Sequence, residues 1–219
     1  MVILATRIYG DHADRAMQSL ETIIRNQLDG LEVTYELGRR RDGLPSVTID
    51  GPDAVAARNL LAAEWGEIPG QLHDGETYHG ILTEWTDDGF IVDAGEEVVI
   101  PPEGLGLGPG DPAQVATRFG LVRNLPVTFV NGDPCELAEA ERDRLYGWRR
   151  GPGRVTANGV TRGQLRATIN RAGHAQDIQT IERLGILEQS IICRDDTDPP
   201  GLLASIGPYV PGELACVLP

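Results

Sequence analysis

The stretch from Arg142 to Arg171 holds Arg142, Arg144, Arg149, Arg150, Arg154, Arg162, Arg166 and Arg171 against one acid, Asp143. It sits in a chain whose formal net charge is −14, and whose first 141 residues carry 9 arginines and 25 acids. Guanidinium groups at this density do two kinds of chemistry. Each can hold a phosphate with two parallel hydrogen bonds, and each can lie flat on an aromatic ring or a base. Each can equally close on a carboxylate. On the first reading Arg144, Arg149, Arg150, Arg154, Arg162, Arg166 and Arg171 hold the phosphates of RNA, while Tyr146 or Trp148 stacks on unpaired bases. On the second the basic end docks an acidic protein partner, or locks onto the chain's own acidic segments.

Other clusters carry weaker chemistry. Asp195, Asp196 and Asp198 can hold Mg²⁺ through one or two carboxylates and waters, which would make a metal-dependent hydrolase the third reading. The same residues before Pro199-Pro200 also suit the start of a helix. The run Gly104 to Asp111, GLGLGPGD, is rich in glycine. A P-loop needs Gly-Lys-Ser/Thr, and the chain contains no lysine. His12, His73, His79 and His174 show no metal-ligand spacing. Cys135, Cys193 and Cys216 are odd in number and far apart, and read as reduced thiols. No Gly-x-Ser-x-Gly elbow is present. No catalytic residue, metal or cofactor is therefore expected.

All 19 basic residues are arginine, against 33 acids and 5% aromatics. This composition resembles that of proteins from salt-accumulating halophilic archaea. In multimolar salt the Debye length is about 3 Å or less, so net charge repels weakly, while carboxylates keep the surface hydrated. The acidity then reflects adaptation to salt, and the retained arginines stand out further. No apolar run approaches the ~20 residues of a membrane span, and the opening MVILATRIYG turns polar too early for a signal peptide. A cytoplasmic protein with no membrane partner is expected.

Three modules of α+β class must position these groups. Residues 1–70 read as β-α-β-β-α: VILATRIYG as a strand, an amphipathic helix behind an Asp cap, a hairpin turning near Asp42-Gly43 with Arg39-Arg40-Arg41 at its tip, and a helix with Pro52 near its first turn. Residues 71–132 read as a small OB-type β-barrel: two strands joined at Thr86-Asp87-Asp88-Gly89, a third strand, the glycine-rich loop, a short capped helix and a closing strand. Residues 133–219 read as an arginine-rich ferredoxin-like module, a helix followed by β-α-β-β-α-β, with a capping box at Thr161-Arg-Gly-Gln164.

The central segment resembles the S1 RNA-binding domain through Gly80 and through Gly89-Phe90-Ile91-Val92-Asp93-Ala94-Gly95. That resemblance implies a setting in translation or RNA processing, with ribosomal or other structured RNA. The segment departs from the S1 pattern where bases are gripped. The stacking aromatic falls near Ile91, and from Gln71 to Asp111 ten acids meet no arginine. The barrel is thus expected to face solvent or a protein partner, leaving RNA to the arginines. The run DIQTIERLGILEQSIIC is similar to an uncharacterised archaeal family of unknown function. The expectation from sequence is a non-catalytic RNA-binding protein.

Overall fold

The computed structural model describes residues 1–218. The first module runs β1 (Val2–Ile3), α1 (Ala13–Gln27), β2 (Thr34–Arg39), β3 (Pro45–Asp50) and α2 (Ala54–Trp65). Its three strands pair antiparallel in the order β1-β3-β2. Ala13, Ala16, Leu20 and Ile24 recur at helical spacing on α1. That stripe packs with Val2 and Val47 of the sheet and with Ala57 and Leu61 of α2. Two local expectations fail here. VILATRIYG is a strand only at Val2–Ile3, because the chain beyond turns its backbone to other partners, Gly66 for Ala5 and Gly43 for Ile8. His12, not an aspartate, occupies the cap of α1, and no side chain bonds there.

The second module comprises β4 (Thr77–Thr86), β5 (Gly89–Asp93), β6 (Glu97–Ile100), α3 (Pro102–Leu105), α4 (Pro112–Arg118), β7 (Leu125–Val130), β8 (Glu136–Leu137) and α5 (Glu139–Arg150). Five antiparallel strands in the order β6-β5-β4-β7-β8 curl into a half-barrel, with a bulge in β4 between Leu82 and Glu84. Gly89 closes the first hairpin at φ 138°, and a Cβ there would run into the carbonyl of Ile100. Asp111 caps α4 through a reciprocal box with Gln114, at 2.7 and 3.2 Å. The core holds Phe90, Phe119 and Phe129, and also Leu145 and Trp148 of α5. Residues 133–150 therefore pack with the central sheet, although their place in the chain had grouped them with the third module.

The third module comprises β9 (Arg154–Ala157), α6 (Arg162–Arg171), β10 (Ile178–Arg183), β11 (Gln189–Cys193), α7 (Pro199–Ile206), a 3₁₀ turn over Gly207–Tyr209, and β12 (Leu214–Val217). The antiparallel order β10-β11-β9-β12 is the ferredoxin-like one. The Thr161–Gln164 box opens α6.

The modules join through buried seams. Ile186 and Leu187, in the β10–β11 hairpin, enter the core of the first module. The Thr156 hydroxyl of β9, fully buried, donates to the Gly120 carbonyl of the second. Among the described residues one ion pair crosses each interface: Arg7–Asp93, Arg123–Glu213 and Arg183–Glu64. No helix among the described residues is long and apolar enough to cross a membrane.

Candidate nucleic-acid interface

The arginine island divides in three dimensions. Arg142, Arg144 and Arg154 are engaged by carboxylates. Arg144 meets Glu141 at 2.6 Å and also donates to the Pro126 carbonyl at 3.1 Å. Arg154 meets Glu182 at 2.6 Å and Ser190 Oγ at 3.2 Å. Arg142 lies 3.7 Å from Glu136. These pairs are local or within one module. The ion pairs that lock modules together come from outside the island.

Of the two aromatics expected to stack on bases, Trp148 is buried and Tyr146 is half-buried. Trp148 is 3% exposed, with its ring in the central core and the guanidinium groups of Arg144 and Arg154 5.3 and 5.1 Å from its centroid. Tyr146 packs edge-on against Phe119, centroids 5.4 Å apart, and its hydroxyl donates to the Gly106 carbonyl at 3.4 Å. At the end of α5 Arg149 and Arg150 are exposed, lying against Phe119 and Tyr146 at 5.9 and 5.6 Å.

Arg162, Arg166 and Arg171 are exposed on α6. Among the described residues no carboxylate comes within ion-pair distance of them. At about 100° of rotation per residue, Arg162 and Arg166 flank one side of the exposed ridge of this helix and Arg171 the other. The ridge itself carries Gly163, Ala167 and Asn170. Nothing bulky keeps a polymer backbone off it.

Beside α6 runs a groove of about 720 Å³ whose far wall is α1, contributing His12, Arg15 and Ser19. Arg171 and Tyr209 also line it, and Tyr209 is 70% exposed. Tyr209 and Arg15 escaped the sequence reading. Arg15 stands beside Asp14, in a helix whose net charge hides it. Tyr209 is an aromatic just beyond an apolar helix, where the 3₁₀ turn carries it outward. That second position was visible in GPYV, although its exposure was not.

The third module's sheet offers no alternative surface. Its helix-free face, with Thr156 and Ser190 at 0% exposure, is covered by the central module. Base stacking on an open four-stranded sheet, as RNA-recognition folds of this topology practise it, is blocked here.

The glycine-rich loop is held in the fold by a side chain. Carbonyls of the glycine-rich loop accept from Arg118 at Leu107, 3.2 Å, and at Pro109, so this arginine fixes the shape of the loop. Asp195, Asp196 and Asp198 are exposed in the turn before α7. Among the described residues no three His, Cys, Asp or Glu side chains gather as a metal-holding group. The hairpin-tip Arg40 pairs with Asp42 at 3.0 Å.

His174 bonds Asp177 through Nδ1 at 2.6 Å and Ser205 through Nε2 at 2.8 Å. That order is the one a serine nucleophile relay uses. Ser205 lies inside α7, however, where backbone amides are taken up by helical bonds and cannot cradle an oxyanion. The three residues tie the α6–β10 loop to α7.

Glu188 is wholly buried where the first and third modules meet, accepting from the Tyr9 hydroxyl at 2.7 Å. Burial pushes its carboxyl up to about 8. Burial and then the charge of Glu188 raise Tyr9 in turn. Burial, followed by the charge of Arg144, holds His79 toward its neutral form.

Models of three consecutive domains of one family match the chain. They are the DUF2110 N-terminal domain at residues 1–71, the DUF2110 central domain at 72–149 and the DUF2110 C-terminal domain at 152–218. The second match ends within α5, in keeping with the packing of that helix on the central sheet. No curated protein matches the chain.

Proposed function

Given that the chain belongs to the DUF2110 family across all three of its domains, we propose that this protein is a non-catalytic RNA-binding protein whose contact surface is the outer face of α6. One observation carries the reading. Arg162, Arg166 and Arg171 stay exposed and, among the described residues, without a carboxylate partner in a chain of net charge −14, beside Arg15 and an exposed Tyr209. Carboxylates within reach would have neutralised these arginines, as they do Arg144 and Arg154.

Phosphates of the strand lie along the ridge between the arginines, and an unpaired base stacks on Tyr209. Arg suits this task in concentrated salt. Counterion release supplies little affinity there, so bidentate bonds and stacking carry more of it. The acidic outer face of the central module repels RNA and is left to solvent or to a protein partner. A cytoplasmic setting, adaptation to high salt and a role in translation or RNA processing belong to the same reading, the last by analogy with S1 domains.

The test is recovery of the tagged protein from cells at their own salt, with crosslinked RNA sequenced from the wild type and from Arg166→Glu/Arg171→Glu. Specific RNA recovered with the wild type and lost with the variant is the expected result. No RNA from either, with an acidic protein co-purifying instead, would make α6 a protein-docking surface and overturn the reading.

A further inference from the structure

At the N-terminal end of α6 a second groove, of about 480 Å³, opens between α1 and α6. A cavity of this size suits one nucleotide. Its polar rim holds Arg15 and Arg162, both exposed, and its apolar wall includes Ile23 and Ile186. The first amides of α6, those of Arg162 and Gly163, have no carbonyl one turn earlier to bond. Gly163 has open space where a side chain would stand, so a ligand oxygen can approach that backbone. This end of the helix favours an anion.

A second feature, independent of the helix end, points to more than an anion. Gln189 also lines this groove and has no exposed surface. Its Nε2 donates to the carbonyls of Gly185 and Ile186 at 3.4 and 3.3 Å, which sets the amide's orientation and turns Oε1 away from them. Oε1 has no hydrogen-bond partner among the described residues. A buried acceptor left unpaired is costly and calls for a donor. The groove therefore offers a cationic rim, apolar walls and, on one of the residues that line it, a buried acceptor with no partner among the described residues.

We propose that this groove binds a nucleoside 5′-phosphate. The phosphate rests on Arg15, Arg162 and the first amides of α6, the base lies against Ile23 and Ile186, and a base N–H donates to Gln189 Oε1. Each of the four bases carries such a donor. The assignment rests on the RNA reading only for the source of the nucleotide, which arrives either free or as the phosphorylated end of an RNA strand.

Calorimetric titration of the whole protein tests it. The probes are AMP, GMP, CMP and UMP, the matching nucleosides, inorganic phosphate, and one short single-stranded RNA with a 5′-phosphate or a 5′-hydroxyl. At least one monophosphate is expected to bind about tenfold or more tighter than both its nucleoside and phosphate alone, the size of effect that one satisfied buried hydrogen bond supports. Arg162→Ala should weaken nucleotide and phosphate alike, and Gln189→Leu the nucleotide alone. Should Gln189→Leu fail to fold, the exposed variants Arg162→Ala and Gly163→Ala decide, since both should fold and both should lose nucleotide affinity.

Phosphate binding as tightly as every nucleotide overturns the proposal, as does binding of RNA with no response to any monophosphate. Nucleotide binding without RNA binding upholds the groove, assigns a free nucleotide and removes the RNA reading. Preference for the 5′-phosphorylated strand upholds the groove and assigns the strand end.

Discussion

Glu188→Gln is expected to leave the protein's stability nearly unchanged in acid and to raise it substantially in alkali. The side chain has no exposed surface. Oε1 accepts from Tyr9, while Oε2, beside Gly185 and Thr6, has no partner among the described residues. Desolvation raises the carboxyl to about 8. The Tyr9 hydroxyl, the amides of Leu187 and Glu188 and the charge of Arg7 offset it only in part. The folded protein thus keeps this proton up to about pH 8, whereas the unfolded chain releases it near the ordinary 4.5. Between those values the unfolded state binds fewer protons, so the contribution of Glu188 to stability is complete below about 4.5 and drains away as pH rises toward 8. At about 1.4 kcal/mol per pH unit the loss is of order 5 kcal/mol, a large part of a typical domain's stability. Glutamine copies the neutral acid and does not titrate. Urea unfolding of wild type and variant from about pH 5 to 9 measures this, and the difference between them removes the opposite pH trend of the paired carboxylates. The expected difference grows steadily in favour of the glutamine variant and levels off above about pH 8. Parallel curves, or a variant less stable at every pH, would refute the reasoning by showing that the buried carboxylate is held charged.

Three further outcomes follow from the division of the island. Trp148→Ala should lower unfolding stability by about 3–5 kcal/mol, read by urea titration, because it empties part of the central core. It should leave RNA affinity of the folded fraction unchanged. Tyr209→Ala should do the reverse, keeping the melting temperature and weakening single-stranded RNA by about 1–3 kcal/mol in fluorescence anisotropy. If RNA affinity is measured against salt, Arg166→Ala should make the log–log slope shallower by about 0.7, the value of one single-strand phosphate contact. An unchanged slope would remove Arg166 from the interface.

Local signals in the chain proved reliable where the physics is local. Asp88-Gly89 closes a hairpin, Asp111 and Thr161 cap helices through glutamines three residues on, and the strand–helix order of residues 154–217 yields the ferredoxin-like sheet. Local signals erred where a backbone or side chain is claimed from far away. The first strand ended early because Ala5 and Ile8 donate their backbone N–H groups to Gly66 and Gly43 instead of to a strand partner, while between them the Thr6 hydroxyl accepts from Ile186 N at 2.8 Å, across 180 residues. The helix after residue 138 left its expected module because Leu145 and Trp148 found the central core. The candidate site shared that fate. Arg162, Arg166 and Arg171 were identified and remain exposed, Trp148 was identified and is buried, and Tyr209 was overlooked.

The chain by itself determined most of its helices, hairpins and caps, though not where its first strand ends, and it fixed where its positive charge lies along the backbone and that lysine plays no part in it. These are properties of residue type and spacing within a few positions. Only the tertiary structure decided which arginines are free. That choice depends on partners such as Glu64, Asp93 and Glu213, which lie about 90 to 120 residues from Arg183, Arg7 and Arg123. A charge acts at its distance in space, and folding sets that distance independently of separation along the chain.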